Sequence, residues 1–310
     1  MRKPIYVVDV FTETPFRGNA AGVVLDAGEL DSKLMQRIAA EMKHAETAFP
    51  TPAREPAAAL HLRWFTPTME VTFCGHATVG ALTVLAEEAK RIRVPEQGVN
   101  RISFTCKAGL LHAEFSRDEK RRLRLQVETP HAAFVPETVP EALLSSLGLV
   151  PEVLNPSLAP RRTAPGIVGS AGASNLFLCL RDRDALSRVR PDFRELAAVS
   201  KSMGVAGVIL FSLAPASGVD AAMRCFFPGD VGIEEDPVTG SAAGNLGALL
   251  QDVLPEILPR KLFFTQGDEL SRPGRVEVEI RPEVQPGRIR AWISGHARTV
   301  LRGEIDLKDA

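Results

Sequence analysis

The chain has 310 residues, 37 Lys and Arg against 38 Asp and Glu for a net charge of −1, and 45% hydrophobic residues. Two domains are the default for such a length, and the apolar content suits ordinary cores, which excludes disordered, collagen-like and low-complexity classes. The near-neutral balance lacks the footprint of a nucleic-acid binder, and no run of about 18 apolar residues offers a membrane span.

Met1-Arg2-Lys3-Pro4 leads straight into Ile5–Phe11, which reads as a first strand because its apolar stretch is too short for a secretory leader. The four cysteines, Cys74, Cys106, Cys179 and Cys225, are scattered without a CxxC, and the six histidines form no HxxxH pair. A disulfide framework or structural zinc is therefore not expected, and a reducing cytoplasm is the expected location. An amphipathic helix follows from Asp31, a natural N-cap, with Leu34, Met35, Ile38, Ala39 and Met42 on one face. After a strand at Leu60–Phe65 comes Gly75–Ala86, apolar or small on every side, which predicts a buried helix. Strands at Arg101–Thr105, Leu110–Phe115 and Leu123–Val127 complete this half, and a short basic run, Lys120-Arg121-Arg122, sits beside Asp118 and Glu119. The proline-rich stretch Thr129–Ser157 is the best candidate for a linker.

The same order then recurs. Asp31, Met42, Ala45, Arg63, Phe65 and Pro67 match Asp192, Met203, Ala206, Arg224, Phe226 and Pro228 at an offset of 161 residues. Gly75 and Ala77 match Gly240 and Ala242 at 165, after a four-residue insertion. A period this long means two copies of a domain and not a solenoid. The second buried helix is Gly240–Leu250, with strands at Ala222–Phe227, Val276–Ile280 and Ile289–Ile293 around it. Interior glycines cost about 1 kcal/mol each in a helix, so they point to something packed close against its backbone. Each half is expected to be an antiparallel, barrel-like sheet around one central helix, an α+β architecture of two pseudo-symmetric domains. The expected domains are 1–128, joined by a returning strand in 297–310, and 129–296.

Both buried helices begin in polar loops, Cys74-Gly75-His76 and Asp236-Pro237-Val238-Thr239-Gly240-Ser241. Free N–H groups and a partial positive charge at a helix start suit a carboxylate, although Ser241 and Asp236 could equally serve only as caps. Glu46 breaks the symmetry: it stands in an apolar neighbourhood where the second half has Gly207. A carboxyl moved out of water holds its proton more tightly, which suits a general acid or base near neutrality; a Glu at a strand edge would look the same in sequence. No P-loop, nucleophile elbow or dinucleotide-binding glycine pattern is present. What remains is a set of carboxylates, a His, a Ser, a Cys and two helix starts, fit for proton transfer on a carboxylate substrate without metal or cofactor.

Taken together, Val8-Asp9-Val10-Phe11, Phe16-Arg17-Gly18-Asn19, His44-Ala45-Glu46-Thr47, Phe65-Thr66-Pro67, Cys74-Gly75-His76-Ala77-Thr78 and Glu235–Ala242 resemble the phenazine-biosynthesis-type isomerases (PhzF-like), within the diaminopimelate epimerase-like fold. The resemblance implies two similar barrels with the active site between them, and a homodimer. It implies that Glu46 shuttles the proton and that His76, Asp236 and Ser241 support it. It also places Gly18, Asn19, Cys74, Gly75, Thr239 and Gly240 around the substrate. The expected reaction moves a proton between carbons of a small carboxylate substrate, with no cofactor, metal, nucleic acid or membrane involved. Two alternatives stay open. One is an epimerase or racemase using Cys74, which the lack of a second thiol at Thr239 disfavours; the other is a non-catalytic small-acid-binding protein of the same fold. The sequence also departs from the family pattern at Glu70–Phe73, which lacks the usual proline, and at Phe227, where alanine is usual.

Overall fold

The computed structural model describes residues 1–53, 55–155, 166–170, 173–213, 218–229, 233–253, 261–282 and 289–308. In chain order the first elements are β1 (Arg2–Val10), β2 (Asn19–Val24), α1 (Ser32–Met42), β3 (Glu46–Pro52), β4 (Leu60–Phe65), β5 (Glu70–Val71), α2 (Gly75–Thr83), β6 (Asn100–Cys106), β7 (Gly109–Arg117) and β8 (Leu123–Glu128). There follow β9 (Ala132–Pro136), α3 (Glu141–Ser146), β10 (Gly166–Ser170), β11 (Ala173–Leu180), α4 (Arg183–Ser187), α5 (Phe193–Met203), β12 (Gly207–Leu213) and β13 (Ala221–Phe226). The last are β14 (Glu235–Asp236), α6 (Gly240–Val253), β15 (Lys261–Gln266), β16 (Gly274–Pro282), β17 (Ile289–Ser294) and β18 (Ala297–Asp306).

The chain divides into two compact units, Met1–Pro130 with Trp292–Ala310, and His131–Ala291. The return to the first unit begins inside β17 instead of at Ala297, because Trp292, Ile293 and Ser294 pair with Glu128, Val127 and Gln126 of β8. β18 then runs antiparallel along β1. The proline-rich stretch after Thr129 is not a linker: it folds as β9, α3 and a short 3₁₀ turn at Pro151–Val153 of the second unit. Two of its prolines sit where no helix bond is lost, Pro140 as the N-cap of α3 and Pro151 in the first turn of the 3₁₀ segment. Pro156 and Ser157 lie outside the described residues.

Within the first unit β1 and β2 pair antiparallel, β2 and β3 parallel, β3 and β4 antiparallel, β4 and β6 parallel, and β6 and β7 antiparallel. Within the second unit β10 to β13, β15 and β16 follow the same succession. Residues matched in sequence also make matched contacts. Asp31 caps α1 through Leu34 N at 2.8 Å, and Asp192 caps α5 through Arg194 N at 3.0 Å and Glu195 N at 3.1 Å. Arg63 forks onto Glu70 at 2.8 and 3.0 Å, and Arg224 onto Glu235 at 2.8 and 2.9 Å. Each guanidinium lies over its strand's Phe, 5.1 Å from the Phe65 centroid and 5.0 Å from that of Phe226.

α1 buries Met35, Ile38 and Ala39 and lays Leu34 and Met42 against the same cluster, the face set by its 3.6-residue period. α2 is buried at every position from Gly75 to Thr83, packs against β1, β2, β3, β8 and β18, and runs on into a π turn at Val84–Glu88. α6 packs against β9 and β16. The interior glycines mark close approach as the sequence suggests. A Cβ at Gly247 would sit 2.6 Å from Val278 Cγ1, and one at Gly80 would meet Ala21 Cβ and Val10 Cγ2 at 3.4 Å.

A second kind of glycine constraint occurs at Gly267. Its φ is +93°, and an added Cβ would fall 2.3 Å from Arg272 O and 2.6 Å from Pro237 O, both backbone atoms. Gly267→Ala is expected to lower stability by about 1–3 kcal/mol from strain alone, with the steric shift in addition; denaturant unfolding measures this.

Candidate active site

In the first unit the parallel pairing of β2 with β3 sets Ala21 opposite Glu46, so the carboxyl enters at the first residue of β3. Asn19 opens β2, reached from β1 through a turn in which Gly18 has a φ of +62°. Cys74 is the N-cap of α2 and makes no side-chain cap bond, while His76 stands in the first turn. Asn19, Glu46, Cys74 and His76 therefore converge from three elements. The same loop carries Phe16, whose N–H donates to the buried Asp9 carboxylate at 2.6 Å.

His76 is the hub. Asn19 Nδ2 lies 3.2 Å from its Nδ1, and Cys74 Sγ lies 3.4 Å from the same nitrogen. An amide nitrogen can only donate, so Nδ1 accepts and the ring proton sits on Nε2. Nε2 lies 3.4 Å from Glu46 Oε2, close in space but without the alignment of a hydrogen bond. The His76 ring is 4% exposed and the Glu46 side chain 13%, so the carboxyl retains an opening that the imidazole lacks. Burial, and then the nearby charge of His44, push the His76 pKa down from 6.5 to about 3. The ring is thus neutral throughout the physiological range.

This depression has a consequence for stability. In the unfolded chain His76 takes up a proton near pH 6.5, whereas the folded state refuses it until about pH 3. Its contribution is therefore fully present above the unfolded value and is lost progressively as pH falls from 6.5 toward 3. Denaturant unfolding at pH 7 and pH 5 is expected to show a smaller acid-induced loss in His76→Asn than in the wild type.

The second unit holds the other predicted residues. The buried Asp236 lies in β14, fixed by its pairing with Cys225 of β13. Thr239 Oγ1 donates to Asp236 Oδ2 at 2.6 Å. Gln266 clasps the loop, accepting from Thr239 N at 3.0 Å and donating to Asp236 O at 2.7 Å and to Thr239 Oγ1 at 3.1 Å. The Thr239 hydroxyl, in the place where a second thiol would be sought, is committed to holding Asp236. Gly240 begins α6, and Ser241 is half-buried in its first turn. Sequence reasoning missed Gln266, since a lone glutamine at the end of a strand carries no motif.

The asymmetry between Glu46 and Gly207 has a packing cause. A Cβ at Gly207 would lie 2.6 Å from the Phe227 ring and 2.7 Å from Asn175 Oδ1. The unusual Phe227 thus occupies the space into which a side chain at Gly207 would grow. Burial pushes the Cys225 thiol well up and the Cys179 thiol up to about 12, which leaves both as packing residues. Glu46, Cys74 and His76 could also hold a metal ion, since one ligand atom from each lies within 4.8 Å of the other two.

The first unit of this strand-rich α+β chain thus sets an embedded glutamate beside a neutral histidine at a buried helix start. The chain belongs to the phenazine biosynthesis-like (PhzC-PhzF) family, whose pattern it matches over residues 8–303. It is 35% identical to the uncharacterized isomerase YddE of Escherichia coli K12, with 98% of each chain covered. It is 38% identical to an uncharacterized isomerase of Deinococcus radiodurans, covering 95% of this chain and 92% of that one. Among solved structures it resembles the PhzF-family phenazine biosynthesis protein of Bacillus anthracis, with a TM-score of 0.84, 28% identity, and 99% and 100% of the two chains covered. A probable proline racemase from Agrobacterium radiobacter shares the fold at a TM-score of 0.68 and 13% identity, over 98% of this chain and 93% of that one. The protein is an isomerase of this family. Among the described residues no helix is long and apolar enough to cross a membrane.

Proposed function

We propose that the enzyme moves a proton between carbons of a small carboxylate substrate, with Glu46 as the general acid and base and no cofactor in the reaction. The observation that carries this reading is the Glu46 carboxylate 3.4 Å from Nε2 of a buried, neutral His76. Glu46 takes a proton from a carbon activated by the conjugated carboxylate and returns it to another carbon of the same π-system. His76, with its proton on Nε2, steadies the carboxylate and passes no proton of its own, because protonating it would cost the burial energy that depresses its pKa. The N–H group at Gly75 suits a developing anionic oxygen, and the family resemblance assigns Gly240 the same role. Asp236 and Ser241 are assigned to substrate binding on the family resemblance, with Thr239 and Gln266 positioning Asp236. Gly18 is assigned to shaping the turn that presents Asn19. The same resemblance supports a homodimer, which sedimentation checks.

A second reading, a one-thiol epimerase, is favoured by the 3.4 Å approach of Cys74 Sγ to His76 Nδ1. The deciding experiment incubates candidate carboxylic acids with enzyme in heavy water and follows deuterium on carbon. Under the Glu46 reading Cys74→Ser keeps exchange within a few-fold of wild type. A collapse of exchange in that variant favours the thiol, and tight binding of an acid without any exchange favours a binding protein.

A further inference from the structure

One ring proton on His76 has to satisfy two sides. Glu46 Oε2 lies 3.4 Å from Nε2, whereas Asn19 Nδ2 and Cys74 Sγ lie 3.2 and 3.4 Å from Nδ1, so the carboxylate and the amide approach opposite nitrogens. A neutral imidazole donates from one nitrogen and accepts at the other, and the partner of one nitrogen sets the state of the other. An amide N–H is a full donor and a thiol only a weak one, so Asn19 outweighs Cys74 at Nδ1. With the ring proton on Nδ1, two hydrogens would face each other there, and the bare lone pair of Nε2 would face the Glu46 carboxylate. With the proton on Nε2, both mismatches disappear. Asn19 is 1% exposed and the His76 ring 4%, so water does not compete for the contact.

The backbone holds Asn19 to this position. It is the first residue of β2 and pairs with Val10 at the end of β1. The turn between them passes through Phe16 at a φ of +65° and Gly18 at +62°. A Cβ at Gly18 would fall 2.1 Å from Val10 O, so only glycine fits there. The left-handed conformation is unfavourable for Phe16, and the 2.6 Å bond from its N–H to the buried Asp9 carboxylate offsets that cost.

We propose that Asn19 is a positioning residue whose amide fixes the His76 proton on Nε2, facing Glu46, and that it acts through the imidazole and not through contact with substrate. The kinetic consequence rests on the role proposed for Glu46, whereas the placement of the ring proton does not.

The test reads the tautomer directly. Long-range ¹H–¹⁵N correlation of the full-length protein labelled with ¹⁵N-histidine, at pH 7, shows which ring nitrogen carries hydrogen, and His76→Asn identifies the His76 signals among the six histidines. Wild type is expected to show Nε2–H alone. Asn19→Leu keeps the volume and removes the donor, so the Nδ1–H form should appear beside it. Asn19→Asp replaces the donor by an acceptor, so Nδ1 should gain a proton. Circular dichroism confirms the fold of each variant, and the wild-type spectrum needs none. A wild-type ring protonated on Nδ1, or a folded Asn19→Leu that keeps Nε2–H alone, would overturn the proposal. On the acid found by the heavy-water screen, Asn19→Asp should lower kcat at least about 100-fold with KM within about threefold, since a wrong imidazole tautomer alone costs about 10⁴-fold in the serine-protease triad. A raised KM with kcat and tautomer unchanged would assign Asn19 to the substrate and overturn the proposal. A switched tautomer with exchange at the wild-type rate would keep the placement of the proton and reject the acid–base reading. Loss of exchange in Glu46→Gln beside an unmoved tautomer in Asn19→Leu would do the reverse.

Discussion

Glu46→Gln is expected to cut deuterium incorporation into the converted substrate by about 10²–10⁴-fold, the range a positioned general acid–base group supplies. The substitution keeps size, planarity and hydrogen-bonding capacity, so it isolates the ability to carry a proton. Glu46 enters at the start of β3, opposite Ala21, where Gln fills the same space. Thermal and denaturant unfolding are accordingly expected to change much less than turnover. Mass spectrometry of the substrate pool in heavy water provides the measurement, and exchange at the wild-type rate would reject Glu46 as the base. The pH profile offers an independent check. His76 ionises at about 3, so no limb of the profile between pH 5 and 8 should vanish in a His76→Asn variant that retains measurable activity.

The largest stability effect is expected at Arg224. Its side chain is 6% exposed and its guanidinium is fully engaged, forked onto Glu235 at 2.8 and 2.9 Å and donating to Leu186 O at 3.2 Å and Val189 O at 3.0 Å. Arg224→Met keeps the apolar stem but strands Glu235, 12% exposed, and two backbone carbonyls in the interior. Removing one partner of a buried pair leaves an uncompensated charge, at a cost of about 3–5 kcal/mol. The equivalent Arg63→Met is expected to cost clearly less, because Glu70 keeps Lys107 at 2.7 Å as a second cation. Denaturant midpoints of the two variants against wild type measure the difference. Equal losses would show that Lys107 provides no compensation. Because Glu235 precedes Asp236 in β14, Arg224→Met should also disturb the Asp236–Thr239 clasp, whereas Arg63→Met leaves that loop untouched.

Much of the fold was legible because it is written in local periodicity. The face of α1, the two helices with no polar side and the alternation of the strands all follow from burial of apolar groups at a fixed repeat. The offset between the halves was readable from residues such as Arg63 and Arg224, though not the reason they recur. That reason is a guanidinium that must meet a carboxylate from the next short strand, and a pairing across a loop leaves no period. The stretch after Thr129 misled for a related cause. Its prolines suggest a chain without structure, yet Pro140 and Pro151 occupy helix starts, where proline costs nothing.

The candidate site divides along the same line. Glu46 stood out in sequence as a charge in an apolar context, and His76, Asp236 and Ser241 through motifs at helix starts. What those side chains do to one another was not legible. Residues 19, 46, 74 and 76 come from three separate elements, and only the parallel β2–β3 pairing over the start of α2 puts Asn19, Glu46 and Cys74 around one imidazole. The sequence alone determined the isomerase family, the α+β class and an embedded carboxyl without a counterpart in the second half, because composition, periodicity and motif order are properties of the linear chain. The tertiary structure alone decided that His76 is neutral, that Thr239 serves Asp236 through its hydroxyl, and that Phe227 fills the space beside Gly207. Those facts depend on desolvation, hydrogen-bond distance and excluded volume, which act between residues that the linear order keeps apart.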